Sequence, residues 1–217
     1  MGIEREIKLA LPPSQHDDVA RFFDERTGAG RPMKLGNVYF DTPSRALAQA
    51  KSALRLRRAP QEWLQTYKTL GESKAGLHSR HEWEMPVKGE ALEIDALLAA
   101  CDDDAARQAL EAAAPELRAL FRTDFTRIVW DVEHEGSQIE VALDSGEITA
   151  DVDGEARRSE ISELELELKS GDESALETLA AELRGAFPEL NPEDLSKAQR
   201  GYHLREKPQS NLNDAEE

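Results

Sequence analysis

Residues 162–169 read SELELELK. Leu164, Leu166 and Leu168 fall on one face, with Glu163, Glu165, Glu167 and Lys169 on the other. A period of two is that of a β-strand and not of a helix. Working outward, strands are expected at 3–9, where the same alternation holds, and at 33–42, 52–58, 62–70, 79–87, 122–132, 137–144 and 146–152, and the run above closes a strand over 157–169. Turn signals separate these runs: Ala59-Pro60, Glu135-Gly136 and Ser145-Gly146, with 71–78 a turn-rich loop. Helical spacing is confined to 14–27, to two short stretches within 91–114, and to the segment after Gly171, where Leu176, Leu179, Leu183 and Phe187 recur every three or four residues. A short segment over 194–204 closes the ordered part, and 206–217 lacks periodicity, a polar tail or linker expected to be disordered. Eight or nine strands joined by short turns predict an α+β fold with an antiparallel sheet large enough to curl into a barrel.

Of the 217 residues, 44 are acidic and 27 basic, a net charge of −17. Such a surface repels phosphate backbones and anionic bilayers, which argues against nucleic-acid or membrane partners. An anion would have to bind at a local cluster of Lys and Arg. The single cysteine, Cys101, excludes an intramolecular disulfide and a Cys-rich zinc site. No apolar run approaches the ~20 residues of a membrane span, and MGIEREIKL has no apolar signal core. The expected compartment is the cytoplasm.

The charged faces carry the functional signal. Glu4, Glu6 and Lys8 share a face of the first strand, as do Arg55 and Arg57, then Arg80, Glu82 and Glu84, then Glu140 and Asp144, then Glu163, Glu165 and Glu167. A half-buried sheet with its charged side in water would explain any one of these. It explains the set poorly. Same-face neighbours stand ~6.6 Å apart along a strand, where two carboxylates repel by roughly 2.5 kcal/mol at an effective dielectric of 20. Turned inward, the acidic set would oppose a basic one of Arg55, Arg57, Lys68, Arg80 and Lys197. Carboxylates are hard ligands suited to Mg²⁺ or Mn²⁺, and Lys and Arg donors suit phosphate oxygens. A metal–polyphosphate would bridge the two.

EREIK at 4–8, YFDT at 39–42, LRLR at 54–57, Lys68, RHEWE at 80–84, FTR at 125–127, IEVALDSGEI at 139–148, ELELELK at 163–169 and SKAQRGY at 196–202 resemble, in order, the motifs of the CYTH superfamily of triphosphate tunnel metalloenzymes. GLHSR, GSQIEVALDSGEI and SKAQRGYHL are most similar to bacterial inorganic triphosphatases of the CYTH–CHAD type. The resemblance covers about residues 2–205. It implies an eight-stranded antiparallel tunnel with a charged interior and helices packed outside, a CYTH domain over 1–205, and a helical CHAD domain as partner in a longer parent chain. It implies hydrolysis of inorganic triphosphate, or of a nucleoside triphosphate, with Mg²⁺ or Mn²⁺. Glu4, Glu6, Asp144, Glu163 and Glu165 would hold metal. Lys8, Arg55, Arg57, Lys68, Arg80, Arg127 and Lys197 would grip phosphates. Lys8, Glu165 and Glu167 are the catalytic candidates, with a carboxylate of the 163–167 run accepting a proton from water. Arg200 is read as an anchor of the C-terminal helix and Glu140 as a supporting carboxylate.

Two other readings stand beside this one: a CYTH adenylate cyclase or thiamine triphosphatase, which needs a pocket for a base or thiazolium, and a polyphosphate-binding module without turnover. His78 and His81 are read as loop or surface residues, the tryptophans as packing, Asp102–Asp104 as a helix start, and Lys51, Arg58, Arg157 and Arg158 as external.

Overall fold

The computed structural model describes residues 2–69 and 71–206. Among these described residues, ten strands form one sheet, and eight of them close into a barrel. The barrel strands are β1 (Gly2–Ala10), β2 (Arg31–Asp41), β3 (Ser52–Arg58), β4 (Trp63–Thr69), β6 (Leu77–Val87), β7 (Arg118–His134), β8 (Ser137–Val152) and β9 (Glu155–Ser170). Their order is β1-β9-β8-β7-β2-β3-β4-β6, and β6 returns to β1 with Glu4 opposite Arg80 and Glu6 opposite His78. All pairings are antiparallel. Two short strands sit at the edges: β5 (Glu72–Lys74), where the sequence suggested only a loop, beside β6, and β10 (Asn191–Pro192) on Leu9 and Ala10. Eight strands enclose a space that side chains can fill or that can hold one small ligand.

The outward apolar faces need covers. Helices α1 (His16–Thr27) and α5 (Ser174–Ala186) lie over Leu164, Leu166, Val141 and Trp130. Helices α2 (Ala46–Gln49), α3 (Ile94–Ala100) and α4 (Asp104–Ala113) cover Leu54, Tyr67 and Trp83. Asp103 caps α4 by accepting from the Ala106 amide at 2.8 Å, as the acidic run predicted. No helix among the described residues is long and apolar enough to cross a membrane.

One expected break is absent. Ser145-Gly146 is not a turn: β8 runs unbroken from Ser137 to Val152, with Gly146 opposite Phe125. A Cβ at Gly146 would meet the Phe125 Cα at 2.5 Å, so the glycine marks a close strand approach. The continuity has a consequence. The inward face of β8 carries Glu140 and Asp144 before Gly146, and Ile148 and Ala150 after it. The interior is therefore ionic along one part and apolar along the other. The last helix, α6 (Lys197–Glu206), seats Ala198, Tyr202 and Leu204 on that apolar part, against Phe121, Phe125, Ile148 and Ile161.

Arg157 is not external. It is half-buried and its Nη1 donates to the carbonyls of Leu204 and Arg205 at 3.2 and 3.1 Å, two orphan acceptors at the end of α6. The tail expected over 206–217 falls, after Glu206, outside the described residues.

A Cβ added at Gly201 would strike three ring atoms of Phe121, the farthest at 2.5 Å, whereas one added at Gly185 in α5 would meet nothing within 4 Å. Gly201→Ala is therefore expected to lose about 1–3 kcal/mol, and Gly185→Ala to gain about 0.4–1 kcal/mol. Urea unfolding midpoints check both.

Candidate active site

The barrel encloses a cavity of about 250 Å³, and its lining gathers the predicted residues from seven strands and α6. Glu4, Glu6 and Lys8 enter from β1, Arg55 and Arg57 from β3, Lys68 from β4, Arg80 from β6, Arg127 from β7, Glu165 and Glu167 from β9, and Lys197 from α6. Asp144 of β8 and Glu163 of β9 lie in the same wall, fully buried. Period-two alternation aims them: each faces inward because its neighbours face a helix outside.

Charges so deeply placed must be paired. Lys197 Nζ donates to Asp144 at 2.6 Å and Glu165 at 3.0 Å, and also to Glu163. Arg127 grips both oxygens of Asp144, at 2.8 and 2.7 Å, and also bonds Glu165. Lys8 Nζ stands 3.3 Å from Glu165 and 3.7 Å from Glu163. On the adjoining strands, Arg80 donates to Glu4 at 2.7 Å and to Glu6, and Lys68 reaches Glu4 at 3.0 Å. Arg200 anchors α6, donating to Glu163 at 3.0 Å.

Burial alone would raise the carboxyl groups of Glu4, Asp144 and Glu165; their cationic neighbours reverse the sign and hold all three below the ordinary carboxylate range. Burial would lower the Lys197 ammonium, but Asp144, Glu163 and Glu165 lift it well above a free lysine. Glu167 goes the other way: burial, with Glu4 and Glu140 nearby, raises it despite the Lys169 ammonium at 2.9 Å. Arg57 differs from every other cation named here. No carboxylate of the described residues lies within 4 Å of it, and burial beside Arg55 and Arg127 lowers it to about 10.

Asp144, Glu163 and Glu165 each offer an oxygen, all within 4.8 Å of one another, so these three can hold a cation. The donor set is oxygen only, as Mg²⁺ and Mn²⁺ prefer. Glu4 and Glu6 stand on β1, held by Arg80, and are not part of this group of three.

Several lining residues escaped the sequence reading. Glu82 and Glu84 face inward with Arg80, as their spacing allowed, and pair with Arg55. Thr66 donates to Glu84 at 2.7 Å, and Tyr39, stacked on Phe121 at 4.7 Å, forms part of the wall. Nothing in the sequence distinguished Asn37, buried on β2 beside Arg57. His78 is buried rather than on the surface; its Nε2 lies 3.0 Å from the Glu193 carbonyl, and the β10 segment covers it there.

The CYTH domain model matches residues 2–202. An inorganic triphosphatase of Haemophilus influenzae is 37% identical over 209 residues, covering 94% of this chain and 55% of that protein. The chain thus spans about half the length of this curated relative. Among solved structures, the Hippeastrum protein HpAC1, with its dominant triphosphatase activity, superposes with a TM-score of 0.65 at 19% identity over 92% of this chain and 95% of its own. A protein of Pyrococcus horikoshii gives 0.56 at 17% identity, covering 91% and 98%. At those identities the likeness is one of fold. With the match to the family model spanning nearly all of the chain, and the barrel behind it, this protein belongs to the CYTH family.

Proposed function

We propose that this chain hydrolyses inorganic tripolyphosphate to pyrophosphate and phosphate inside its charged tunnel, with Mg²⁺ or Mn²⁺. The observation that carries the reading is Arg57, a half-buried guanidinium without a carboxylate partner among the described residues, facing a cavity whose other wall holds Asp144 and Glu165. The name of the Haemophilus relative points the same way. A polyanion would supply the missing countercharge to Arg57. Arg55, Arg80, Lys68 and Lys8 would share its remaining oxygens once their carboxylates turn to the cation.

A divalent cation on Asp144, Glu163 and Glu165, with Glu4 and Glu6 on the adjoining strand β1, would neutralise phosphate charge and lower the pKa of a water. The chain's own groups do the rest. Arg57 and Arg55 fix the phosphates in line, and Lys8 and Arg127 stabilise negative charge on the equatorial oxygens as the terminal P–O bond breaks. Water oxygen bonds to the terminal phosphorus, the bridging oxygen leaves with pyrophosphate, and Glu165 or Glu167 takes the proton.

The lining favours an inorganic substrate over a nucleotide. Among the described residues, Tyr39 is the only aromatic side chain that lines the cavity, and it is 5% exposed beneath its own stacking partner Phe121, so a base finds no platform. A domain over 1–205 working beside a CHAD segment in a longer parent chain is part of the same proposal.

Phosphate release from tripolyphosphate is expected with Mg²⁺ or Mn²⁺ and none with excess chelator. Glu4→Gln with Glu6→Gln should abolish turnover while the circular dichroism spectrum persists; wild-type rates would remove their role. Arg57→Ala should raise KM by roughly 10–100-fold, the loss of a charged hydrogen bond of about 1.5–3 kcal/mol. Lys197→Met leaves three buried carboxylates without their ammonium, at an expected cost of about 3–5 kcal/mol. Added Mn²⁺ should restore more stability to that variant than to the native chain, and an equal response in urea titrations would show that the three carboxylates hold no cation.

A further inference from the structure

Asn37 lies on β2 directly between two cross-strand partners, Arg57 on β3 and Thr123 on β7. Asn37 is 1% exposed and Thr123 fully buried. Both ends of the amide are used. Its Nδ2 donates to Thr123 Oγ1 at 2.8 Å, and its Oδ1 accepts from Arg57 Nε at 2.9 Å. The terminal nitrogens of Arg57 carry no hydrogen bond to a described residue.

The other tunnel arginines are oriented by carboxylates: Arg55 by Glu82 and Glu84, Arg80 by Glu4 and Glu6, Arg127 by Asp144 and Glu165. A carboxylate orients a guanidinium and cancels its charge at once. A neutral amide orients it and leaves the charge uncancelled. Arg57 can only donate, so it fixes Oδ1 as the end of the amide that faces it, and the Thr123 hydroxyl, able to accept, anchors the Nδ2 end.

We infer that Asn37 is the positioning residue of the substrate site: it aims Arg57 into the tunnel as an uncompensated cation and thereby sets the affinity for a polyphosphate chain. The inference rests on the polyphosphate reading above and deepens it. Asn37 touches neither substrate nor reacting atoms; it acts through Arg57.

Asn37→Asp separates orientation from charge. The carboxylate is isosteric, and the Thr123 hydroxyl can turn to donate to it, so both contacts survive and Arg57 acquires a counter-ion. With Mn²⁺ present, KM for tripolyphosphate should rise tenfold or more while kcat stays within threefold. Asn37→Ala, which loses the aim but not the charge, should raise KM less. In an Arg57→Ala background Asn37→Asp should cost nothing further. An unchanged KM, a loss confined to kcat, or losses that multiply with Arg57→Ala would overturn the inference. Calorimetric titration with tripolyphosphate runs in parallel: a native chain that binds without turnover contradicts the hydrolytic reading, and equal affinities for native and Asn37→Asp contradict this one. Should Asn37→Asp fail to fold, Thr123→Val carries the test. It removes the acceptor that anchors the amide nitrogen and so loosens the aim of Arg57, and affinity must then fall in the native background and not in the Arg57→Ala background.

Discussion

Lys197 carries its ammonium from the start of α6 into the β8–β9 wall, where Asp144, Glu163 and Glu165 converge on it. Three carboxylates at such separations repel one another strongly when buried, and each would lose several kcal/mol of hydration uncompensated. The ammonium makes their burial tolerable, and Arg127 and Lys8 complete the set. It also ties the fold to the site. For Lys197 to reach that wall, α6 must lie across the inner face of the barrel, and it does so because Ala198, Tyr202 and Leu204 find apolar partners there. Tyr202 adds a fixed point, its hydroxyl donating at 2.8 Å to Asp41, whose carboxylate also accepts the amides of Leu47 and Ala48 in α2.

The interior is thus zoned along single strands. On β8 the inward positions pass from Glu140 and Asp144 to Ile148 and Ala150; on β7 they pass from Arg127 to Phe125 and Phe121. The apolar zone gives the helix a seat, and the ionic zone stays open to a ligand. Within the ionic zone, charges of opposite sign hold one another in place. A metal–polyphosphate entering it would exchange ion pairs for ion pairs, so binding need not begin by stripping solvent from bare charges. Arg57 is the departure from that balance, and the neutral contact from Asn37 preserves it.

Much of this was legible from alternation alone. The strand runs at 3–9, 52–58 and 163–169 declared which residues share a face, and the crowding of glutamates on those faces argued that they look inward. Order and closure of the barrel came from the resemblance, since periodicity says nothing of which strands pair. Several local readings missed. Ser145-Gly146 has the composition of a turn, yet the glycine is there because Phe125 of the neighbouring strand leaves no room for a Cβ, a tertiary cause invisible locally. Reading a break there also hid the change from ionic to apolar lining. His78 and Arg157 look like surface residues by type. Their burial follows from the β10 segment and the end of α6, whose positions depend on distant contacts. Asn37 had no chance of notice, because a single asparagine in a strand acquires meaning only from what stands on the strands to either side.

One cavity would hold both a cation and a polyphosphate, on opposite walls. Anomalous diffraction from a crystal grown with Mn²⁺ and tripolyphosphate, using Glu6→Gln protein to slow turnover, tests it most directly. A manganese peak is expected beside Asp144, Glu163 and Glu165, with phosphate density against Arg57 within the barrel. Manganese elsewhere, or phosphate bound on the outer surface with the tunnel's ion pairs intact, would contradict it.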